Sequence, residues 1–338
     1  MKKRLFSLFL IVCTALSMIA GCTKNSDTTD TPETTASNVN SSPININIGC
    51  MKGPTAIGMI KLLSDSDAGK STNTYNYTIA GTADEISTKL IKGEIDIAAV
   101  PCNLASVLYN KTEGEIVTVA INTLGVLYIV EAGDSVNTVS DLKGKTIYST
   151  GQGTTPEYTL RYLLSSAGLD PDNDVNIEYK SEAPEVVAAL TNNHDAVAML
   201  PQPYTTVALN SDESFRIALD VTAEWEKLSD STVVTGVLVA RKSFIDENKD
   251  GFATFLNEYS ASTQYANDNI EDTAALLESF DIFKAAIAKK AIPYCNVTCI
   301  TGTEMKDKAL AYLQILYDQN PAAIGGKLQE GMFYIESQ

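Results

Sequence analysis

Positive charge, histidine and cysteine are scarce in this chain of 338 residues, and each scarcity excludes a class of chemistry. Lys and Arg number 25 against 42 Asp and Glu, so the formal charge is −17, which argues against nucleic acid and anionic lipid surfaces as partners. His194 is the single histidine and stands in the polar turn Asn192-Asn193-His194-Asp195, where solvation is its default. With one imidazole and scattered thiols, neither a metal centre nor another cofactor is expected. Six cysteines are too few for a dense disulfide framework. Beyond residue 21 there is no apolar run long enough to span a bilayer.

What is there begins with Met1-Lys2-Lys3-Arg4, an apolar stretch from Leu5 to Ala20, and Ile19-Ala20-Gly21-Cys22. Residues 1–21 read as a secretory signal peptide, and the ending resembles the bacterial lipobox, in which the cysteine is lipidated and becomes the new N-terminus. A lipid on Cys22, with extracytoplasmic anchoring to the bacterial cell membrane, is the expectation. Residues 22–43, rich in Thr, Ser, Asn and Asp, read as a flexible tether. Loss of Lys2, Lys3 and Arg4 would take the formal charge from −17 to −20. About 295 residues then remain, more than one core usually serves and suited to two lobes.

Ile44, Ile46 and Ile48 alternate as a strand, Lys52-Gly53-Pro54-Thr55 breaks it, and Ala56, Ile57, Ile60 and Leu63 continue as one face of a helix. Tyr75 to Ala80 predicts a second strand, and Thr82 with Glu85 has the spacing of a capping box. Ile95 to Val100 predicts a buried third strand, stopped by Pro101 before a helix from Cys102. Three strand-turn-helix units in succession require a parallel sheet with right-handed crossovers. Between the strands Ile116–Ile121 and Gly125–Val130 there is no room for a crossover helix, so the chain makes either a hairpin or, as we favour, a passage into a second sheet.

The glycine turn from Gly151 to Thr155 then precedes an amphipathic helix. Asp195 to Leu200 followed by Pro201-Gln202-Pro203 repeats the Ile95-to-Pro101 arrangement, which suggests two lobes built alike. Ser231 to Ala240 is a long β-rich run, and everything beyond Arg241 reads as helix.

In order and spacing, the Lys52 turn, Gly93-Glu94-Ile95-Asp96-Ile97, Asp141-Leu142-Lys143-Gly144-Lys145, the Gly151–Thr155 turn and Pro201-Gln202-Pro203 resemble ABC-transporter substrate-binding lipoproteins. The branch most resembled is the SsuA-like sulfonate, nitrate and thiamine-pyrimidine group. The resemblance implies an α/β, two-lobed periplasmic-binding protein type II fold, each lobe a mostly parallel sheet flanked by helices, with a helical C-terminal tail on lobe 1. It implies lobe 1 from residues 44–122 and 235–338, lobe 2 from 123–234, a small-molecule ligand in the cleft with hinge closure, and a monomer working with the permease and ATPase subunits of an importer. Two other classes stand beside it. The fold also serves enzymes of thiamine-pyrimidine synthesis, but those need a catalytic His and a Cys-rich metal cluster, and a ligand-binding module could instead feed a sensor.

Candidate ligand contacts follow from the carboxyl ends of strands, where open α/β sheets bind. Lys52 is the sole cation on a predicted cleft turn, able to pair with an anion; Gly53 and Pro54 shape that turn, and Thr55 offers a hydroxyl or a cap. Gln152, Gly153, Thr154 and Thr155 form the facing turn. Cys102, Asn103, Gln202 and Tyr204 follow strand-ending prolines, and Thr235 begins the returning strand. No Arg or His falls on these turns, which weighs against a sulfonate or nitrate. Cys50 and Cys102 are either small buried hydrophobes or a disulfide, and the pairing of Cys295 with Cys299 is open. Trp225 and Tyr204 could stack on a ring, with core packing as their default.

Overall fold

The computed structural model describes residues 43–335. The signal segment, Cys22 and the tether up to residue 42 lie outside the described residues. Ile46 and Ile48 bury their side chains on alternate positions of β1 (Asn45–Met51). A 3-10 turn from Pro54 to Met59, with proline at its start, leads into α1 (Ile60–Asp67). The chain continues through β2 (Thr74–Ala80), α2 (Ala83–Ile91), β3 (Ile97–Pro101), α3 (Cys102–Lys111) and β4 (Ile116–Leu124). Then come β5 (Leu127–Ala132), β6 (Thr146–Ser149), α4 (Thr155–Ser166), β7 (Asn176–Tyr179), α5 (Ala183–Asn192), β8 (Val197–Pro201), α6 (Tyr204–Ser211), β9 (Phe215–Asp220) and α7 (Val221–Glu226). The last part comprises β10 (Val234–Arg241), α8 (Lys242–Glu247), α9 (Lys249–Asp268), α10 (Ile270–Ser279), α11 (Ala285–Ala291), β11 (Val297–Ile300) and α12 (Gly302–Gln319).

Two mixed sheets result, each flanked by helices. The first has six strands in the order β11-β4-β10-β3-β1-β2; β1 runs parallel to β2 and β3, and β10 runs antiparallel to β3 and β4. The second has five in the order β7-β6-β8-β5-β9, with β6 parallel to its neighbours and β5 antiparallel to its own. β4 and β5 lie in different sheets, so the Gly125-Val126 link carries the chain from the first to the second, and it comes back at β10.

Three sequence expectations need correction. The stretch beyond Arg241 is not all helix, because Val297–Ile300 adds β11 antiparallel to the edge of β4, a long-range pairing that helical periodicity does not register. Thr82 sits at the N-cap of α2 without a side-chain capping bond, whereas Thr138 and Asp141 do form a capping box. β9 and α7 were not expected at all; Asp220 ends the strand and caps the helix by accepting from the N–H groups of Thr222 and Ala223.

One face of the first sheet packs on the Pro54–Met59 turn, α1, α9 and the segment to Val297. The other face shares a core with α12 and with the second sheet. In it Trp225 of α7 is fully buried, with Tyr162 of α4 and Tyr312 of α12 at ring centroids 4.5 and 5.1 Å away. The Tyr312 hydroxyl also hydrogen-bonds Thr159 Oγ1 of α4 at 2.8 Å. α12 therefore packs on helices of both sheets rather than on the first alone.

Candidate functional site

Each turn that follows a sheet's strand begins where a hydrophobic run is halted. After β1 the Lys52 N–H donates to the carbonyl of Ala80, and Gly53 is extended before Pro54 starts the 3-10 turn. The Lys52 ammonium donates to Asp281 Oδ2 at 2.9 Å; both side chains are solvent-facing, so water and salt screen the pair. Lys52 holds the Asp281 carboxyl below the usual carboxylate range. Thr55 is buried, and its carbonyl accepts from Asn122 Nδ2 at 3.1 Å.

After β3 the decisive side chain is Asn103, which is 1% exposed. Its Oδ1 accepts from the N–H of Thr155 at 3.0 Å and from Thr155 Oγ1 at 3.3 Å. Its Nδ2 donates to the carbonyls of Ala323 at 2.9 Å and Gly153 at 3.3 Å. One carboxamide thus joins a turn of the first sheet, the start of α4 at the second, and the segment after α12. A buried polar group stripped of its partners costs about 1–3 kcal/mol, so the Asn103 contacts are worth more than the exposed Lys52 pair.

After β6 the chain reverses through Gly151 and Gly153, both with φ near +75°, a conformation that a side chain would strain. Thr154 Oγ1 donates to the Gly151 carbonyl at 2.7 Å. The Gly153 N–H donates to Glu157 Oε2 at 2.6 Å, and Glu157 Oε1 accepts from Arg161 Nε at 2.9 Å. Gln152 is exposed. After β8, Gln202 is buried and caps its own helix, accepting from Thr206 N and Oγ1.

Tyr204 is half-buried against Phe283, edge-on at 5.6 Å between ring centroids. Further contacts across the same gap are Lys290 Nζ to Asn210 Oδ1 at 2.9 Å and the Tyr128 hydroxyl to the Tyr294 carbonyl at 3.4 Å. Phe283, Lys290 and Tyr294 lie in the stretch read as plain helix, and only their distance of about 80 residues or more from their partners in sequence kept them out of view.

At the crossings, Asn296 Nδ2 donates to the Gly125 carbonyl at 2.5 Å. Asn122 and Thr55 crowd Gly236: a Cβ there would meet Asn122 Oδ1 and Thr55 Cγ2 at 2.6 Å each. The oxygens Thr55 Oγ1, Asn122 Oδ1, Thr123 Oγ1 and Thr235 Oγ1 are buried without a hydrogen-bond partner. The Tyr259 hydroxyl lies beside Asn122 and Thr263 but forms no well-made hydrogen bond.

All four described cysteines are free. Cys50 and Cys102 belong to opposite core faces; burial pushes the Cys50 thiol up to about 12 and that of Cys102 further still, so both are inert thiols. His194 pairs with Asp212 at 3.1 Å in a turn of the second sheet. Among the described residues no cluster of His, Cys, Asp and Glu could hold a metal ion, and no helix is long and apolar enough to cross a membrane.

Residues 70–291 match the family model described as "ABC transporter, phosphonate, periplasmic substrate-binding protein". The fold is similar to the crystal structure of an ABC transporter from Parabacteroides distasonis, with a TM-score of 0.73, 26% identity, and coverage of 86% of this chain and 99% of that one. It is also similar to the periplasmic aliphatic sulphonate binding protein SsuA of Escherichia coli, with a TM-score of 0.70, 18% identity, and 88% and 94% coverage. A third similar structure is the periplasmic nitrate-binding protein NrtA of Synechocystis PCC 6803, with a TM-score of 0.62, 13% identity, and 87% coverage of each chain. No curated protein sequence gives a significant match.

Proposed function

The chain belongs to the ABC-transporter periplasmic substrate-binding family that the phosphonate model describes, and from that premise we propose that it captures a small polar or heteroaromatic molecule between two hinged lobes and presents it to a permease. Membership implies transport rather than catalysis, an extracytoplasmic location, a small-molecule ligand, and permease and ATPase partners. We take residues 44–122 with 235–338 as one lobe and 123–234 as the other, a division that the two separate sheets support. A lipid on Cys22 is the proposed anchor.

The observation that carries this reading is the meeting of strand ends from different sheets. Asn103 after β3 binds the first residue of α4 after β6, and such carboxyl ends are where ligands of α/β sheets sit. Lys52, Gly53, Pro54 and Thr55 then form one jaw, and Gln152, Gly153, Thr154 and Thr155 the other. Cys102, Asn103, Gln202, Tyr204 and Thr235 line the floor and crossings in this proposal. Hinge bending at 122–125 and 235–236 would open and close it.

The test is a thermal shift titration of the mature chain against thiamine precursors, pyrimidines, flavins and fractionated growth medium. A ligand at a hundred times its Kd should stabilise by about 2.7 kcal/mol through mass action. A chemically altered hit recovered after incubation, or no response to any fraction, would sink the proposal.

A further inference from the structure

Resting on that two-lobed reading, we propose that Asn103 is a positioning residue for closure. It caps α4 from the opposite half, in the closed form alone, and so raises the share of closed clamp without touching the ligand.

α4 has no cap of its own. The first N–H groups of an α-helix lack partners within it and are usually met by the side chain of the residue just ahead. Thr154 stands there and is of a type that caps, yet it makes no capping bond, and its hydroxyl is turned to the Gly151 carbonyl at 2.7 Å, where it closes the glycine turn. The N–H of Thr155, a fully buried residue, is taken instead by Asn103 Oδ1 at 3.0 Å, from 52 positions away and from the other sheet. The helix is capped in trans.

The cap is held in place by its own half. Asn103, Ser106 and Asn110 stand at i, i+3 and i+7 of α3, one face of a helix, and all three donate to the segment after α12. Asn103 Nδ2 reaches the Ala323 carbonyl at 2.9 Å, Ser106 Oγ the Ile324 carbonyl at 2.9 Å, and Asn110 Nδ2 the carbonyls of Ile324 at 3.1 Å and Lys327 at 2.7 Å. Carbonyls only accept, so this seam fixes which end of the Asn103 carboxamide is nitrogen and leaves Oδ1 aimed at α4. Parting of the halves would break the bonds to Thr155 and Gly153 and keep the one to Ala323. The acceptor stays aimed, and little side-chain entropy is lost when the halves meet again. Because a ligand's apparent affinity falls with the share of chains in the binding-competent form, a cap made only on closure tunes affinity from outside the ligand's own contacts.

Distances between spin labels on Thr88→Cys in α2 and Ala188→Cys in α5, exposed sites on helices packed against different sheets, provide the test. The labels go on the mature chain with Cys22 and Cys299 replaced by serine, Cys50, Cys102 and Cys295 being buried, after unfolding in urea and refolding to remove any solute. Asn103→Ala should lower the ratio of closed to open chains roughly five- to tenfold, the effect of one lost cap. Thr155→Pro should do the same and guards against a chain that Asn103→Ala leaves unfolded. Proline lacks the N–H and suits the first helical position, and Thr154 is already extended, as a residue before proline has to be. Ser106→Ala loosens the same α3 seam without a bond to the second half, so it should lower the melting point and leave the distances as in the wild type. Distances that stay put in either of the first two variants, once folded, overturn the proposal, and so does an equal shift in Ser106→Ala. Failure of the binding-protein reading looks different: no growth-medium fraction stabilises the wild type or moves its labels, even where Asn103→Ala opens the chain.

Discussion

Gly125 shows how much one residue decides. A Cβ built there would lie 1.7 Å from Thr222 Oγ1 and 2.9 Å from Thr222 Cβ, so the crossing from β4 to β5 is threaded past the first turn of α7 with room for hydrogen alone. Thr222 is β-branched and its N–H is held by Asp220, so it has little freedom to turn aside. Gly125→Ala is expected to destabilise the fold by about 1–3 kcal/mol, the usual cost of overpacking. Adding Thr222→Ala should recover part of that loss in urea unfolding; a single variant as stable as the wild type would mean that the crossing shifts freely. In the sequence Gly125 is legible as the start of a strand after a break, but the reason for glycine lies about a hundred residues on, at Thr222 in α7.

Among elements, the β5–β9 pair depends on one buried charge. Glu131 on β5 is 1% exposed and stands opposite Arg216 on β9, whose Nη2 reaches Glu131 Oε1 at 2.6 Å. Burial alone would push the Glu131 carboxyl up, but hydrogen bonds from Ser135 and the Val136 N–H, with the Arg216 guanidinium, outweigh it and hold the group below its ordinary value. A folded value below the unfolded one stabilises at pH above the unfolded value, about 4.3, and that contribution is lost as pH falls through the folded one. Glu131→Gln is therefore expected to cost about 1.5–3 kcal/mol at pH 7, the worth of a charged hydrogen bond, with the gap to wild type narrowing below pH ~4. Denaturant unfolding at pH 7 and pH 3 checks this, and an equal gap at both would refute the linkage. β5 itself was readable as an unbroken apolar run. β9 was not, because at the sheet's edge its polar and exposed residues blur the alternation.

For the whole molecule, the closure and the anchoring proposed above would be separate devices. Tyr204 with Phe283, Lys290 with Asn210, and Asn103 with Thr155 join the two halves at points far apart in the chain. They form where the two halves approach each other, which fits the proposed clamp. The proposed anchor, Cys22, lies in the leading segment. Cys22→Ala expressed in a bacterial host should move the protein from the membrane fraction to the soluble extracytoplasmic one, since a lipidated cysteine supplies the apolar contact with the bilayer. Continued sedimentation of the variant with membranes would remove Cys22 from that role.

What the sequence determined by itself was most of the succession of elements, β9, α7 and β11 excepted, and the class of molecule. Period-2 runs, prolines at strand ends and glycine turns are local signals, and they place Lys52, Asn103 and the Gly151–Thr155 turn at strand termini. Tertiary structure alone decided which of those groups remain free. Lys52 faces Asp281 across 229 positions of chain, Asn103 faces Thr155 across 52, and Val297 finds its strand partner in Thr123. Such pairings depend on how helices and sheets pack around a common core, and side-chain patterning along the chain carries no record of the distance between two turns once the core has formed.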